Sequence, residues 1–177
     1  MTADGVVRRG RRVHIRHPRM RDRDPFLKAV RRSRSLHRPW TYPPSDDDAF
    51  RGFVRSADRP TVQRFLICRT DDDTFVGVAN LSQIVLDPFR NAYLGYYAFS
   101  PHHRQGLMRE GLELSIRHAF GPLRLHRIQA NVQPENERSV ELLRGLGFAE
   151  EGYARRYLKI GGRWRDHLLF ALLADER

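Results

Sequence analysis

One residue of the chain is cysteine, Cys68, and only two are lysine, Lys28 and Lys159. A single thiol excludes an intramolecular disulfide framework and any multi-cysteine zinc site. With no partner base visible in the sequence around it, Cys68 reads as a buried structural thiol, not a nucleophile. No apolar run approaches the ~20 residues that span a bilayer. The segment MTADGVVRRGRR is basic with no apolar stretch after it, so no secretory signal and a cytoplasmic location are expected. Several chemistry-bearing motifs are missing as well. Without G-x-x-x-x-G-K-S/T, nucleotide hydrolysis of the P-loop type is not expected. Without G-x-G-x-x-G, neither is a dinucleotide-binding unit. G-x-S-x-G, the serine-hydrolase elbow, is absent. So are H-E-x-x-H and C-x-x-C, and no metal is expected.

What the chain has instead is arginine. Lys and Arg total 32 against 21 Asp and Glu, a formal net charge of +11. That excess fits a solvated surface, or attraction to a polyanion such as a phosphorylated cofactor, RNA or a ribosomal surface. A length of 177 residues with 40% apolar content suits one folded domain, expected over residues 11–177. Residues 1–10 read as a flexible basic tail.

Hydrophobic periodicity predicts a mixed α/β (α+β) chain. Val13–His17 alternates as an edge strand. Arg21–Ser35 reads as a helix capped by Asp24, with Pro25 at its first position. A proline-rich loop, Arg38–Pro44, carries Trp40 and Tyr42. Ser45 is expected to cap a helix over Asp46–Ser56. Strands follow at Thr61–Arg69, Thr74–Leu86 and Asn91–Ser100, with a turn at Asp71–Asp73. A helix is predicted over Leu107–Phe120, where His118 reads as a surface residue. His126–Val132 is the next strand, and strand–helix–strand makes a right-handed crossover. A helix over Glu137–Leu146 precedes a hairpin of Phe148–Leu158 and Arg163–Leu173, turned by Lys159–Gly162.

The stretch Asn91–Phe120 organises the rest. Its loop, Pro101–Gly106, leads into a helix whose first amides have no intrahelical acceptor. Gly106 lets a ligand approach the backbone, and the amides of Arg104 to Met108 form a ring of donors. His103, Arg104 and Arg109 add positive charge. The loop is an anion-binding device or an ordinary strand-to-helix turn.

The order AYLGYYAFS, HHRQGLMREGL, HRIQANV, QPENERSVELLRGLGFAEEGY resembles the GCN5-related N-acetyltransferases (GNAT). The family loop Q/R-x-x-G-x-G/A is matched by His103–Met108, with departures at its first and last positions. The signature N-x-x-S…L-x-x-L-G-F appears as Asn136, Ser139, Leu143, Leu146, Gly147 and Phe148. The segments RPW, GVANLS, HRIQANV and WRDH look closest to the RimJ-like side of the RimJ/RimL group, ribosomal-protein alanine N-acetyltransferases.

The resemblance implies a mostly antiparallel mixed sheet, splayed between its fourth and fifth strands and flanked by about four helices. It implies acetyl-CoA as cosubstrate, held by Ala98, Phe99, His103, Arg104, Gln105, Gly106, Leu107, Met108, Arg109, Asn136 and Ser139. Asn136 also reads as a helix cap, and Ser139 as a small residue in a helix stripe. Ser139 is the expected hydrogen-bond partner of the sulfur, with Glu110, Glu151, Tyr96 and Tyr153 as candidate bases. The glutamate that some RimL-type proteins carry after E-G has no counterpart here, because Leu158 occupies that position. Trp40, Tyr42, Asn80 and Tyr97 are expected at the acceptor site. Direct transfer in a ternary complex to a protein N-terminus, a ribosomal one, is the leading reading, for a monomer or homodimer that touches no membrane. A small-amine acceptor (polyamine, amino acid derivative or aminoglycoside) and a ribosome- or RNA-associated binding module remain as alternatives.

Overall fold

The computed structural model describes residues 5–176. In chain order the strands are β1 (Val6–Arg9), β2 (Val13–Arg16), β3 (Asp58–Arg59), β4 (Val62–Arg69), β5 (Phe75–Val85), β6 (Asn91–Ala98), β7 (Arg127–Val132), β8 (Ala149–Ile160) and β9 (Arg163–Leu173). The helices are α1 (Arg23–Arg32), α2 (Arg34–His37), α3 (Asp47–Arg55), α4 (Leu107–Phe120) and α5 (Glu137–Gly145). The sheet runs β1-β2-β4-β5-β6-β7-β9-β8, with β3 added on β4. Every neighbouring pair is antiparallel except β6 and β7, which the α4 crossover makes parallel. Their pairing stops after Asn91–Arg127, Ala92–Ile128 and Tyr93–Gln129. Beyond it β6 stays on β5 while β7 stays on β9. This is the expected splay, between the sixth and seventh strands because β1 and β3 were not foreseen.

Period-two alternation places a core on each face of the sheet. Phe65 and Ile67 join the cluster under α4 and α5, whereas Leu66 and Cys68 join Phe26, Phe50 and Phe53 under α1 and α3. Two glycines set the closeness of α4. A Cβ on Gly111 would meet Ile67 Cγ2 at 2.4 Å, and one on Gly77 would meet Met108 Sδ at 2.7 Å.

Several local expectations are corrected. Val6–Arg9 is a strand paired with β2 and not a tail, while residues 1–4 lie outside the described residues. Asp46, not Ser45, caps α3, its carboxylate accepting from the Ala49 amide at 2.9 Å. Asp22, not Asp24, stands at the N-cap of α1, and its side chain makes no cap bond because Arg16 holds its carboxylate. The predicted helix over Arg21–Ser35 breaks at Ser33, whose buried hydroxyl accepts from the Ser100 amide at 2.9 Å. His118 is half-buried edge-on against Phe65, and burial, then Arg8 and His17, pushes its imidazole down to about 4. Cys68 does have neighbours: His14 pairs opposite it on β2, and Asp73 lies beside both. Burial raises its thiol far above the usual range, so it stays protonated.

The strongest polar tie is Arg16 with Asp22, bidentate at 2.8 and 3.0 Å, both side chains being at most 6% exposed. Asp22 also accepts from the Arg19 amide at 2.7 Å. Asp22→Ala leaves the buried guanidinium with Asp73, 3.2 Å away, and the His17 carbonyl at 3.4 Å to answer it. A loss of about 3–5 kcal/mol in urea unfolding is expected.

Candidate active site

The site is built where β6 leaves the sheet. The Phe99 amide extends the ladder by donating to the Val76 carbonyl at 2.7 Å. Alternation along the strand therefore commits the amides of Tyr97 and Phe99 to β5 and turns those of Tyr96 and Ala98 toward the splay. The Ser100 carbonyl is gripped by the Arg32 guanidinium. Arg104 and Gly106 then take left-handed backbones, φ +63° and +73°, which swing the chain into α4. Gly106 stands at the N-cap with no side chain, and the first helical bond runs from the Glu110 amide to its carbonyl at 3.2 Å. The amides of Leu107, Met108 and Arg109 come before that bond and lack intrahelical acceptors. The Leu107 and Met108 side chains are in the core, so these residues offer a ligand their backbone alone. In the same loop, His103 Nδ1 is buried without a partner among the described residues.

Arg12, which sequence reasoning missed, braces this loop from β2's side. It donates to the Gln105 carbonyl at 3.1 Å and pairs with Glu110 through its amide (2.7 Å) and Nε (2.9 Å). Burial pushes the Glu110 carboxyl up, but the bonds from Arg12 outweigh it and leave it below the usual range. Arg109 reaches the other way, donating to the Gly145 carbonyl at the end of α5 at 2.6 Å.

Across the splay, Tyr96 of β6 meets Ser139 of α5, hydroxyl to hydroxyl at 2.7 Å. The Ser139 carbonyl, at 3.3 Å, is a second acceptor within reach of the phenol's proton. Burial, partly offset by the Ser139 bond, pushes Tyr96 up to about 12, so it holds its proton and serves as a donor, not a base. Asn136 is the N-cap of α5 by position, but its side chain makes no cap bond. That leaves the amide group for a ligand.

The other named residues fall apart from this pair. Tyr153 is 54% exposed and donates to Asp166 at 2.6 Å, a bond that raises its pKa. Glu151 is held by Arg127, whose bond keeps it below the usual range. Tyr97 and Asn80 face the α1–α3 side. The Tyr97 hydroxyl is buried without a partner, and Asn80 accepts from Arg64 at 3.4 Å. His37, also missed, donates to the Ala98 carbonyl at 2.9 Å and packs edge-on to Tyr97. No local pattern flags His37 or Arg12, since each acts on a segment at least 60 residues away. The Trp40 carbonyl accepts from Gln133 at 3.4 Å, and Tyr42 lies against Gly161, so the Arg38–Pro44 loop reaches β7 and the β8–β9 turn.

The geometry thus offers amide donors for an anion at the start of α4, and two hydroxyls where β6 and β7 part. An extended ligand with a phosphate-bearing end fits it. Residues 12–149 match the family model described as acetyltransferase (GNAT) domain. The chain is 47% identical over 106 residues to [Ribosomal protein uS5]-alanine N-acetyltransferase of Escherichia coli K12, covering 60% of this chain. That match spans about half of the curated relative, 55% of its length. Among solved structures, Mycobacterium smegmatis RimJ in complex with CoA-disulfide superposes with a TM-score of 0.84 at 31% identity, over 93% of this chain and 83% of that one. The ribosomal-protein-S5-alanine acetyltransferase of Vibrio fischeri gives 0.83 at 26% identity, over 95% and 96%. The splayed sheet, the Gly106 loop and these matches lead to one conclusion: the chain belongs to the GNAT acetyltransferase family.

Proposed function

We propose that this chain moves an acetyl group from acetyl-CoA to the N-terminal α-amino group of a protein, a ribosomal one, by direct transfer in a ternary complex. The observation that carries the reading is the splay, with free amides at its mouth and the Tyr96–Ser139 pair inside it. The orphaned His103 Nδ1 and the unbonded Asn136 side chain fit a phosphorylated, amide-rich ligand. The relatives' printed names supply the acceptor class.

When bound, acetyl-CoA supplies the acyl group as a thioester. The amides of Leu107 to Arg109 would hold its phosphates, and the outward amides of Tyr96 and Ala98 its extended arm. Ser139, its hydroxyl aligned by Tyr96, would donate to the sulfur as the carbon–sulfur bond breaks. An α-amino group has a pKa of roughly 7.7–8, so a substantial fraction arrives neutral and a strong base is unnecessary. That agrees with Glu110 and Glu151 being committed to Arg12 and Arg127. The protonated, buried Cys68 supports transfer without an acetyl-enzyme.

With an alanine-starting peptide, Ser139→Ala should lower kcat by about 10²-fold and leave the acetyl-CoA KM within a small factor. Tyr96→Phe should lower kcat less. A folded Cys68→Ala variant that lost all turnover would overturn direct transfer. Mass spectrometry of cellular protein N-termini, with and without the enzyme, identifies the acceptor. Absence of any acetyl-CoA binding in calorimetry, with salt-sensitive RNA binding retained, would instead favour a binding module.

A further inference from the structure

Three arginines on the α1–α3 side of the molecule have no acidic partner among the described residues. Arg31, Arg34 and Arg38 are exposed and line one cavity of about 520 Å³ together with His37, Tyr42 and Ser45. Among the described residues, no carboxylate lines it. The nearby acids are engaged elsewhere: Asp46 caps α3, and Asp47 is held by Arg23 and Arg51. Other arginines around the site are spent on structure, such as Arg12 on Glu110 and Arg32 on the Ser100 carbonyl. Arg38 is oriented, its guanidinium lying 3.8 Å over the Tyr42 ring, while Tyr42 is pinned against Gly161. A guanidinium fixed in this way loses little freedom when a carboxylate arrives.

The cavity borders the reacting strand. His37 forms part of its wall and is bonded to the Ala98 carbonyl at the open end of β6. A polypeptide whose α-amine enters the splay from this side would lay its next residues against the arginines. We propose that the cavity is a specificity subsite for the acceptor, selecting polypeptides that carry an acidic side chain shortly after the N-terminal residue. The inference rests on the peptide-acceptor reading above and adds the acceptor's charge to it. The size and the placement between α1 and the Arg38–Pro44 loop suit a side chain more than a nucleic-acid backbone, which needs an extended basic track. The same three charges repel a polyamine.

The test uses alanine-starting peptides that differ only in whether the following residues are glutamate, glutamine or lysine. The glutamate peptide should show a KM about tenfold below the lysine peptide, the factor of one charge-assisted hydrogen bond. An Arg31→Gln/Arg34→Gln variant should lose the discrimination, and Arg31→Glu/Arg34→Glu should invert it, with the acetyl-CoA KM unmoved in both. Equal turnover of all the peptides by the wild type would overturn the subsite and leave the acetyltransferase reading standing. No turnover of any peptide would sink both. Salt-sensitive binding of a short single-stranded RNA, abolished by the charge reversal in a protein that does not discriminate peptides, would overturn it in favour of nucleic acid.

Discussion

β6 and β7 hold each other for three residue pairs and no further, and the site depends on that limit. A parallel neighbour was forced by the α4 crossover, and each strand has an antiparallel partner on its other side that continues the ladder. Past Tyr93 and Gln129 the two strands therefore follow different partners. The backbone groups left facing the gap are polar and need partners, whether a ligand or water. Tyr96 and Ser139 meet across the gap through their hydroxyls.

The same crossover fixes where the free amides of α4 lie. α4 starts where β6 leaves the sheet, so its unbonded amides open beside the slot. Small residues make this closeness possible, because any side chain at Gly111 or Gly77 would collide with Ile67 or with Met108 and the Tyr97 carbonyl. Arg12 and Arg109 then tie the helix start to β2's turn and to the end of α5. Two core clusters, one on each face, hold the sheet between them.

Charge is divided by role. Arg16, Arg12 and Arg127 are paired with carboxylates and serve the fold. Arg31, Arg34 and Arg38 are left to solvent around one cavity. The net charge of +11 does not separate these two uses, since pairing is a property of space and not of composition.

Elements governed by neighbours three or four residues away were legible in the chain. The bounds of α4, Leu107–Phe120, and of β9, Arg163–Leu173, coincide with those read from periodicity. The Gly161–Gly162 turn, φ +58° and +82°, lies inside the segment assigned to the hairpin. The Gly106 loop was legible because its special backbone needs a glycine that the sequence displays. Contacts between distant segments were not. β1 exists because β2 offers it an edge, α1 breaks at Ser33 because Ser100 claims its hydroxyl, and Asp22 is buried because Arg16 awaits it. The sequence by itself determined the order of elements, the crossover and the glycine turn that opens α4. Only the tertiary structure decided that Tyr96 would meet Ser139, that Glu110 would answer Arg12, and that His37 would stand beneath Ala98. Periodicity and turn chemistry act along the chain, whereas these pairings join segments brought together when the sheet closes around its core.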